Sequence, residues 1–321
     1  MTGPAADGSP PQQLSRRRTG TAPFYSPLRY PGGKRKLANF ITLVFRTNRL
    51  LDGEYAEVYA GGAAVGLTLL YGEYVRRVHI NDLDPGVYAF WIAARDRTAD
   101  LCRRVRDAKL EMDEWERQRA VQVSADPDPL DLAFSTFYLN RTNRSGIITG
   151  GVIGGKGQLG EWRIDARFKM DDLIRRIERV GRWASRIKIY NLDGAEFLRT
   201  VAPKLPARSV LYLDPPYYVK GQEMLYANYY GPEDHAEVAR LVSEGTGHWI
   251  VSYDDTEQVR ELYRDYRSLA YGIAYSAHHR YRGREVAFFS DSLTIPSVPD
   301  PARVTTADVP RLQILRGAQP L

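Results

Sequence analysis

Short apolar runs that stop abruptly in polar or charged residues recur along the chain, separated by stretches with helical spacing. Tyr55-Tyr59, Arg77-Asn81, Arg186-Asn191, Ser209-Asp214, Trp249-Tyr253 and Arg284-Phe289 read as strands. Helical patterns fill Lys34-Thr47, Ala64-Tyr74, Phe197-Val201 and His235-Glu244. This alternation predicts an α/β fold with a Rossmann-like, doubly wound, mostly parallel sheet. The rhythm breaks between about Trp91 and Trp183, where an Arg-rich helical stretch is interrupted by Ala125-Asp-Pro-Asp-Pro129 and by a glycine-rich loop. That stretch reads as a helical domain, residues 91–183, inserted between the second and third strands. Residues 1–23 read as a disordered basic tail and residues 292–321 as an irregular C-terminal tail. The main domain is then built from residues 24–90 and 184–291.

Composition narrows the class. The 321 residues are 43% hydrophobic and 26% charged, enough for one large core with an insertion. The formal net charge is +6, with a pI near 9.2, and arginine far outnumbers lysine. Arginine suits bidentate contact to phosphate and to guanine edges. The lone cysteine, Cys102, excludes an internal disulfide framework and a Cys-rich zinc site. No apolar run is long enough for a membrane helix, and Arg16-Arg-Arg18 is not followed by the apolar core of an export signal. The expectation is a cytoplasmic protein with neither a metal nor a membrane partner.

The most specific chemistry sits at Asp214-Pro215-Pro216-Tyr217, where an apolar strand ends in a carboxylate, two prolines and a ring. Prolines fix φ and remove N–H donors, so carbonyls here can face a ligand instead of pairing in a sheet. A pair of acceptors beside a stacking ring fits a planar base with an exocyclic amino group. A proline turn with Asp214 as its acceptor fits the same residues.

A second signal lies upstream. Glu57 ends a strand that runs into Gly61 and Gly62 and then a helix. The Gly-x-Gly-x-x-Gly spacing that cradles a pyrophosphate is absent, and Glu57 would repel one. The arrangement suits a cofactor with an α-amino group and no phosphate, such as S-adenosylmethionine, or else an ordinary tight turn. Asp82 ends the next strand, at the position that grips ribose hydroxyls in nucleoside sites. Asn81 and Asp84 read as bystanders or helix caps. Asp193 ends a further strand and could accept from an adenine amino group of the cofactor.

Five blocks in this order resemble the Dam-like DNA adenine-N6 methyltransferases: Leu28-Arg-Tyr-Pro-Gly-Gly-Lys34, Glu57 to Gly66, Ile80-Asn-Asp82, Phe137 to Gly146, and Asp214-Pro-Pro-Tyr217. The resemblance implies an S-adenosylmethionine-dependent class I methyltransferase fold whose insertion at 91–183 is a target-recognition domain. It implies double-stranded DNA as substrate and cofactor contacts from Tyr30, Gly33, Lys34, Asp82 and Asp214. A restriction nuclease is an open candidate as cognate partner.

Within the insertion, Arg141, Asn143 and Arg144 are candidate readers of base edges, since Arg and Asn suit G and A. Lys156, with Arg163 and Arg167, is a candidate phosphate contact, and Gly150 to Gly157 a loop ordered by DNA. Arg29 stands where several members carry a base-contacting lysine, and the Arg-Phe-Asn element of members reading GATC is absent. The target sequence is therefore left unassigned. His278-His279 lacks partners at metal spacing and reads as surface or DNA-facing. RNA adenine or DNA cytosine-N4 methylation shares the amino-acceptor geometry, and a catalytically silent DNA-binding protein on the same fold is the alternative of another class.

Overall fold

The computed structural model describes residues 24–30, 32–218, 230–245, 247–275 and 281–309. The tail expected over residues 1–23 and the pair His278-His279 lie outside these.

Seven strands form one sheet in the order β3-β2-β1-β4-β5-β7-β6. They are β1 (Gly53–Glu57), β2 (Val75–Asn81), β3 (Ile187–Tyr190), β4 (Ser209–Leu213), β5 (His248–Asp254), β6 (Arg267–Tyr275) and β7 (Tyr281–Phe289). The first five pair in parallel, and β7 runs antiparallel between β5 and β6. β1 and β4 are buried along their whole length, as expected for central parallel strands covered on both faces. The chain winds outward from β1 to β3, then returns beside β1 with β4 and winds the other way. The switch point thus lies between β1 and β4, where Glu57 stands opposite Tyr212. Ligands of open α/β sheets bind beyond the strand ends at such a point.

Alternate residues of each strand feed two cores. Tyr55, Ile80, Tyr212 and Phe289 pack on one face, together with α1 (Ala38–Thr47) and α2 (Ala64–Tyr71). Ala56, Leu211, Val251 and Phe288 pack on the other, under α8 (Gly194–Thr200), α9 (Pro232–Glu244) and α10 (Glu257–Leu262). Helix α1 follows a one-turn helix at Arg35–Leu37 and buries Phe40 against Phe289, with ring centroids 6.2 Å apart.

The region between β2 and β3 holds α3 (Pro85–Asp96), α4 (Thr98–Arg106), α5 (Met112–Gln122), α6 (Pro129–Thr142) and α7 (Met170–Arg182). The expected boundary at residue 91 falls inside α3, which starts where Asp84 caps Gly86 and Val87 and Pro85 takes the first helical position. Phe90, Trp91, Leu101, Trp115, Phe137 and Ile177 belong to the same buried cluster as the α1 and α2 face of the sheet. These helices therefore share one core with the sheet.

Two further expectations are corrected. β6 was not among the expected strands: it lies at the sheet edge, and Gly272 interrupts its apolar spacing. Residues 292–309 are irregular in backbone but not a loose tail. Leu293, Val304 and Val309 are buried, Asn39 on α1 donates to the Val304 carbonyl at 2.9 Å, and Asn48 donates to the Thr294 carbonyl at 2.8 Å. The packed unit continues past Asp291 because proline-rich chain can bury side chains without forming an element.

Candidate active site

Asp214 follows the last residue of β4 and faces a lysine from far up the chain. Lys34 Nζ lies 2.8 Å from each Asp214 carboxylate oxygen and also donates to the Gly32 carbonyl at 3.2 Å. Ser252 on β5 donates to Asp214 Oδ1 at 3.0 Å and is itself 2.7 Å from the Tyr212 hydroxyl. A second carboxylate, Glu285 on β7, stands 3.4 Å from Lys34 Nζ. One buried cation therefore serves two carboxylates. Burial disfavours the charge on Lys34, but Asp214 and then Glu285 outweigh it, and its pKa rises well above the usual lysine range. Burial raises the Asp214 carboxyl above the ordinary carboxylate range; Lys34 opposes that rise and Glu285 adds to it.

Tyr217 closes this end of the site. Its ring centroid is 5.7 Å from Lys34 Nζ, and its hydroxyl would sit 2.7 Å from any Cβ placed on Gly32. Gly32 has φ of +73°, so the close approach and the backbone both demand glycine. Beyond Tyr217, the Tyr218 N–H donates to Asp254 at 3.2 Å. The Tyr-Pro-Gly-Gly-Lys block and the Asp-Pro-Pro-Tyr block, remote in sequence, are thus one surface.

The ends of β1 and β2 form the other half. Glu57 is buried, and its Oε1 accepts the Gly66 N–H of α2 at 2.6 Å. Asp82 Oδ2 accepts the Gly61 N–H at 2.7 Å and its Oδ1 the Asp84 N–H at 3.0 Å. Burial raises the Glu57 carboxyl to about 8 and the Asp82 carboxyl to about 7, the backbone donors opposing the rise in each. The Tyr30 ring lies 2.7 Å from where a Gly61 Cβ would be, and Gly62 is closed in by Tyr30 and Ser26. Gly33 donates to the Tyr30 carbonyl at 3.2 Å. Tyr30, Gly33, Gly61, Gly62, Glu57 and Asp82 are therefore brought together at the switch point.

Asp193 is the N-cap of α8, accepting from Ala195 N at 2.8 Å, and its second oxygen accepts from the Tyr230 hydroxyl at 2.6 Å. An adenine amino group would have to share that oxygen with Tyr230. Asn81 is more than a bystander. Its Nδ2 donates to the carbonyls of Val58 and Leu192 and its Oδ1 accepts the Leu192 N–H, tying the ends of β1, β2 and β3 together.

The expected base readers divide. Arg141 is 5% exposed and donates Nε to the Pro27 carbonyl at 2.8 Å; burial, then the neighbouring Arg176 and Arg29, bring its pKa down to about 9. Asn143 is fully buried, accepting from Trp115 Nε1 at 2.6 Å and donating to the carbonyls of Ile147 and Ile148. Neither presents an edge to a base; both brace the interior of α6 and the loop after it. Arg144 and Lys156 are exposed, and Arg29 is half-buried. The glycine-rich loop is already ordered by Gln158, which donates to the carbonyls of Ile153 and Gly155 and accepts from the Ile164 N–H.

Ser252 and Glu285 escaped the sequence reading. A carboxylate at the head of the apolar run Val286-Ala-Phe-Phe289 was the available signal for Glu285; nothing in the chain marked Ser252. Among the described residues, no group of three His, Cys, Asp or Glu side chains could hold a metal, and no helix is long and apolar enough to cross a membrane.

A family model described as the D12 class N6 adenine-specific DNA methyltransferases matches residues 30–280, most of the chain and both halves of the site. The chain belongs to this family. Comparison with curated proteins gave no match. Among solved structures, the fold overlays loosely on a Pyrococcus horikoshii protein provisionally described as an RNA methyltransferase, at 9% identity, TM-score 0.41, covering 82% of this chain and 88% of that one. The rRNA methyltransferase AviRa from Streptomyces viridochromogenes gives 14% identity and a TM-score of 0.35 over 82% of this chain and 86% of its own. Likeness at this level says nothing of substrate. Membership of the D12 family makes the protein a methyltransferase, and the match takes in the Tyr30-to-Lys34 block together with Asp214 and Ser252, with Glu285 just beyond it.

Proposed function

We propose that the protein transfers a methyl group from S-adenosylmethionine to the N6 amino group of an adenine in double-stranded DNA, with the target base rotated out of the helix. The observation that carries this reading is the Asp214 carboxylate, held by Lys34 and Ser252 at the strand end beside Pro215, Pro216 and Tyr217, across the switch point from Glu57 and Asp82.

The donor groups of the β1 and β2 ends fit the cofactor. The Asp82 oxygens each accept one backbone N–H, leaving lone pairs for the two hydroxyls of a ribose. Glu57 is a buried carboxylate with no ion-pair partner among the described residues, suited to an ammonium group. When bound, S-adenosylmethionine supplies an electrophilic methyl group on a cationic sulfur.

The remaining chemistry belongs to the protein. Asp214 and the Pro215 carbonyl accept the two amino hydrogens of the adenine, which localises the nitrogen lone pair for in-line attack. Lys34 keeps Asp214 anionic while burial keeps it basic enough to take the proton that the nitrogen sheds on methylation. Rotating the base out costs a few kcal/mol. Stacking on Tyr217 returns about 1–3 kcal/mol of that. Arg144 and Lys156, both exposed on the insertion, are the DNA contacts of this reading.

The test is incubation of the protein with unmethylated genomic DNA, a matched RNA and labelled S-adenosylmethionine, followed by base analysis. N6-methyladenine in one recurring short DNA motif is expected. Label in RNA or in N4-methylcytosine would overturn the substrate, and cofactor binding without any label would favour a silent DNA-binding protein.

A further inference from the structure

Away from the strand ends, a cleft of about 320 Å³ opens between the segment entering at Phe24 and the 166–176 stretch of the insertion. Its walls carry five cations, Arg29, Arg141, Arg167, Lys169 and Arg176, and one carboxylate, Asp172. Asp172 is already engaged, 2.5 Å from Arg176. Among the described residues no carboxylate forms an ion pair with Arg29, Arg141, Arg167 or Lys169. Arg141 is almost wholly buried, and Arg29 is half-buried with Arg167 near enough to lower its pKa further after burial has done so. Gathering like charges away from water is unfavourable unless a counter-charge joins them.

The cluster is also held rigidly. The Asn140 side chain accepts the Arg29 N–H at 2.7 Å and donates to the Arg29 carbonyl at 2.5 Å. Arg141 is fixed on Pro27, and Arg176 donates to the Ser26 carbonyl at 3.0 Å while lying 4.8 Å over the Phe24 ring. A hydrophobic-core arginine would not need a cleft in front of it, and a solvated charged face would not be pinned this way. Guanidinium forks fixed around a concavity match the oxygens of a tetrahedral oxyanion.

We infer that this cleft is a binding site for a phosphate group. Given the function proposed above, on which only the source of the phosphate rests, that group is a backbone phosphate of the DNA. Arg29 adjoins Tyr30, whose ring lies on Gly61, so a phosphate held here would register the duplex against the segment that also carries Lys34. Arg141 then contributes to DNA binding through the backbone and carries no sequence information.

The test uses the full-length protein and a double variant, Arg167→Gln with Lys169→Gln, both exposed at the cleft. Anisotropy of a short fluorescent duplex is followed against salt. Loss of one phosphate contact should weaken binding about 10-fold. It should also flatten the log–log salt slope by about 0.9. Asp172→Asn, which removes the one carboxylate, should tighten binding. In parallel, thermal melting of both proteins is followed with added inorganic phosphate.

Weakened DNA binding with a shallower slope supports the backbone source. Unchanged DNA binding, with a phosphate-induced rise in melting temperature that the double variant loses, supports a site for a free phosphate compound instead. Unchanged DNA binding and no phosphate effect overturn the inference, as does looser binding in Asp172→Asn. Should the wild-type protein bind no duplex at all, the DNA reading fails, and the melting arm alone decides the cleft.

Discussion

The two halves of the switch-point site treat their carboxylates in opposite ways. At the ends of β1 and β2, Glu57 and Asp82 are answered by neutral donors, backbone N–H groups and, at Glu57, the Tyr55 hydroxyl, and burial pushes them up to about 8 and about 7. At the end of β4, Asp214 is answered by a buried lysine that it shares with Glu285. The first half is short of positive charge and gains from a cationic ligand with hydroxyl donors. The second half supplies its own cation and needs none from a ligand. The two ends of one crevice thereby differ in the charge they would favour in a ligand.

The sharpest way to break this contrast is to remove its centre. Asp214→Ala should lower turnover by at least about 10²–10³-fold, the scale of losing one preorganised polar group at a reacting centre. Its cofactor affinity, measured by calorimetry, should stay near wild type; equal losses in both would dissolve the division between the halves. Lys34→Met should come next, leaving Glu285 and Asp214 without their cation. Removing one partner of a buried pair costs roughly 3–5 kcal/mol. Denaturant melts should show that loss, and the acid limb of any remaining activity should move to higher pH as Asp214 holds its proton more tightly.

Smaller effects sharpen the other half. The Glu57 carboxyl is raised from 4.5 to about 8, so the unfolded chain ionises it well before the folded protein does. The folded state then binds more protons between those values, and stability falls as pH rises through that window. Glu57→Gln should relieve the penalty, raising the melting temperature more at pH 8 than at pH 5. Roughly 2–4 °C per kcal/mol relieved is the scale for domains somewhat smaller than this one. A uniform shift at both pH values would mean that charge is not the cause. Ser252→Ala should be mildest, costing about 1 kcal/mol for one hydrogen bond and slowing turnover modestly.

The strands that build the switch point were legible because each ends an apolar run in a conspicuous polar residue. Residue type at a strand end implied the crevice, and Asp214, Glu57 and Asp82 do line it. Pairing across the chain was not legible. That Lys34 would sit on Asp214, or that β7 would deliver Glu285, depends on strand order and on how α1 lies across the sheet. Two of the three expected base readers, Arg141 and Asn143, depart from expectation for a different reason. Arg141 and Asn143 are of types that usually face water, yet α6 is buried along most of its length and its neighbours absorb their hydrogen bonds. Asn81 was passed over because a terminal asparagine looks like a cap until three strands are seen to meet on it.

The bond from Asn39 to the Val304 carbonyl also says something about timing. Helix α1, which follows Lys34, is made well before the residues that cover it, since Val304 lies 265 positions after Asn39. At ribosomal rates of about 5–20 residues per second, roughly 13–53 s separate the two. For about the first two-thirds of that interval Asp214 has not been made, Glu285 follows only near its end, and α1 lacks its outer covering throughout. A nascent chain therefore cannot assemble the Lys34, Asp214 and Glu285 cluster until most of that interval has passed, and a chain cut short of Val304 leaves α1 without that covering.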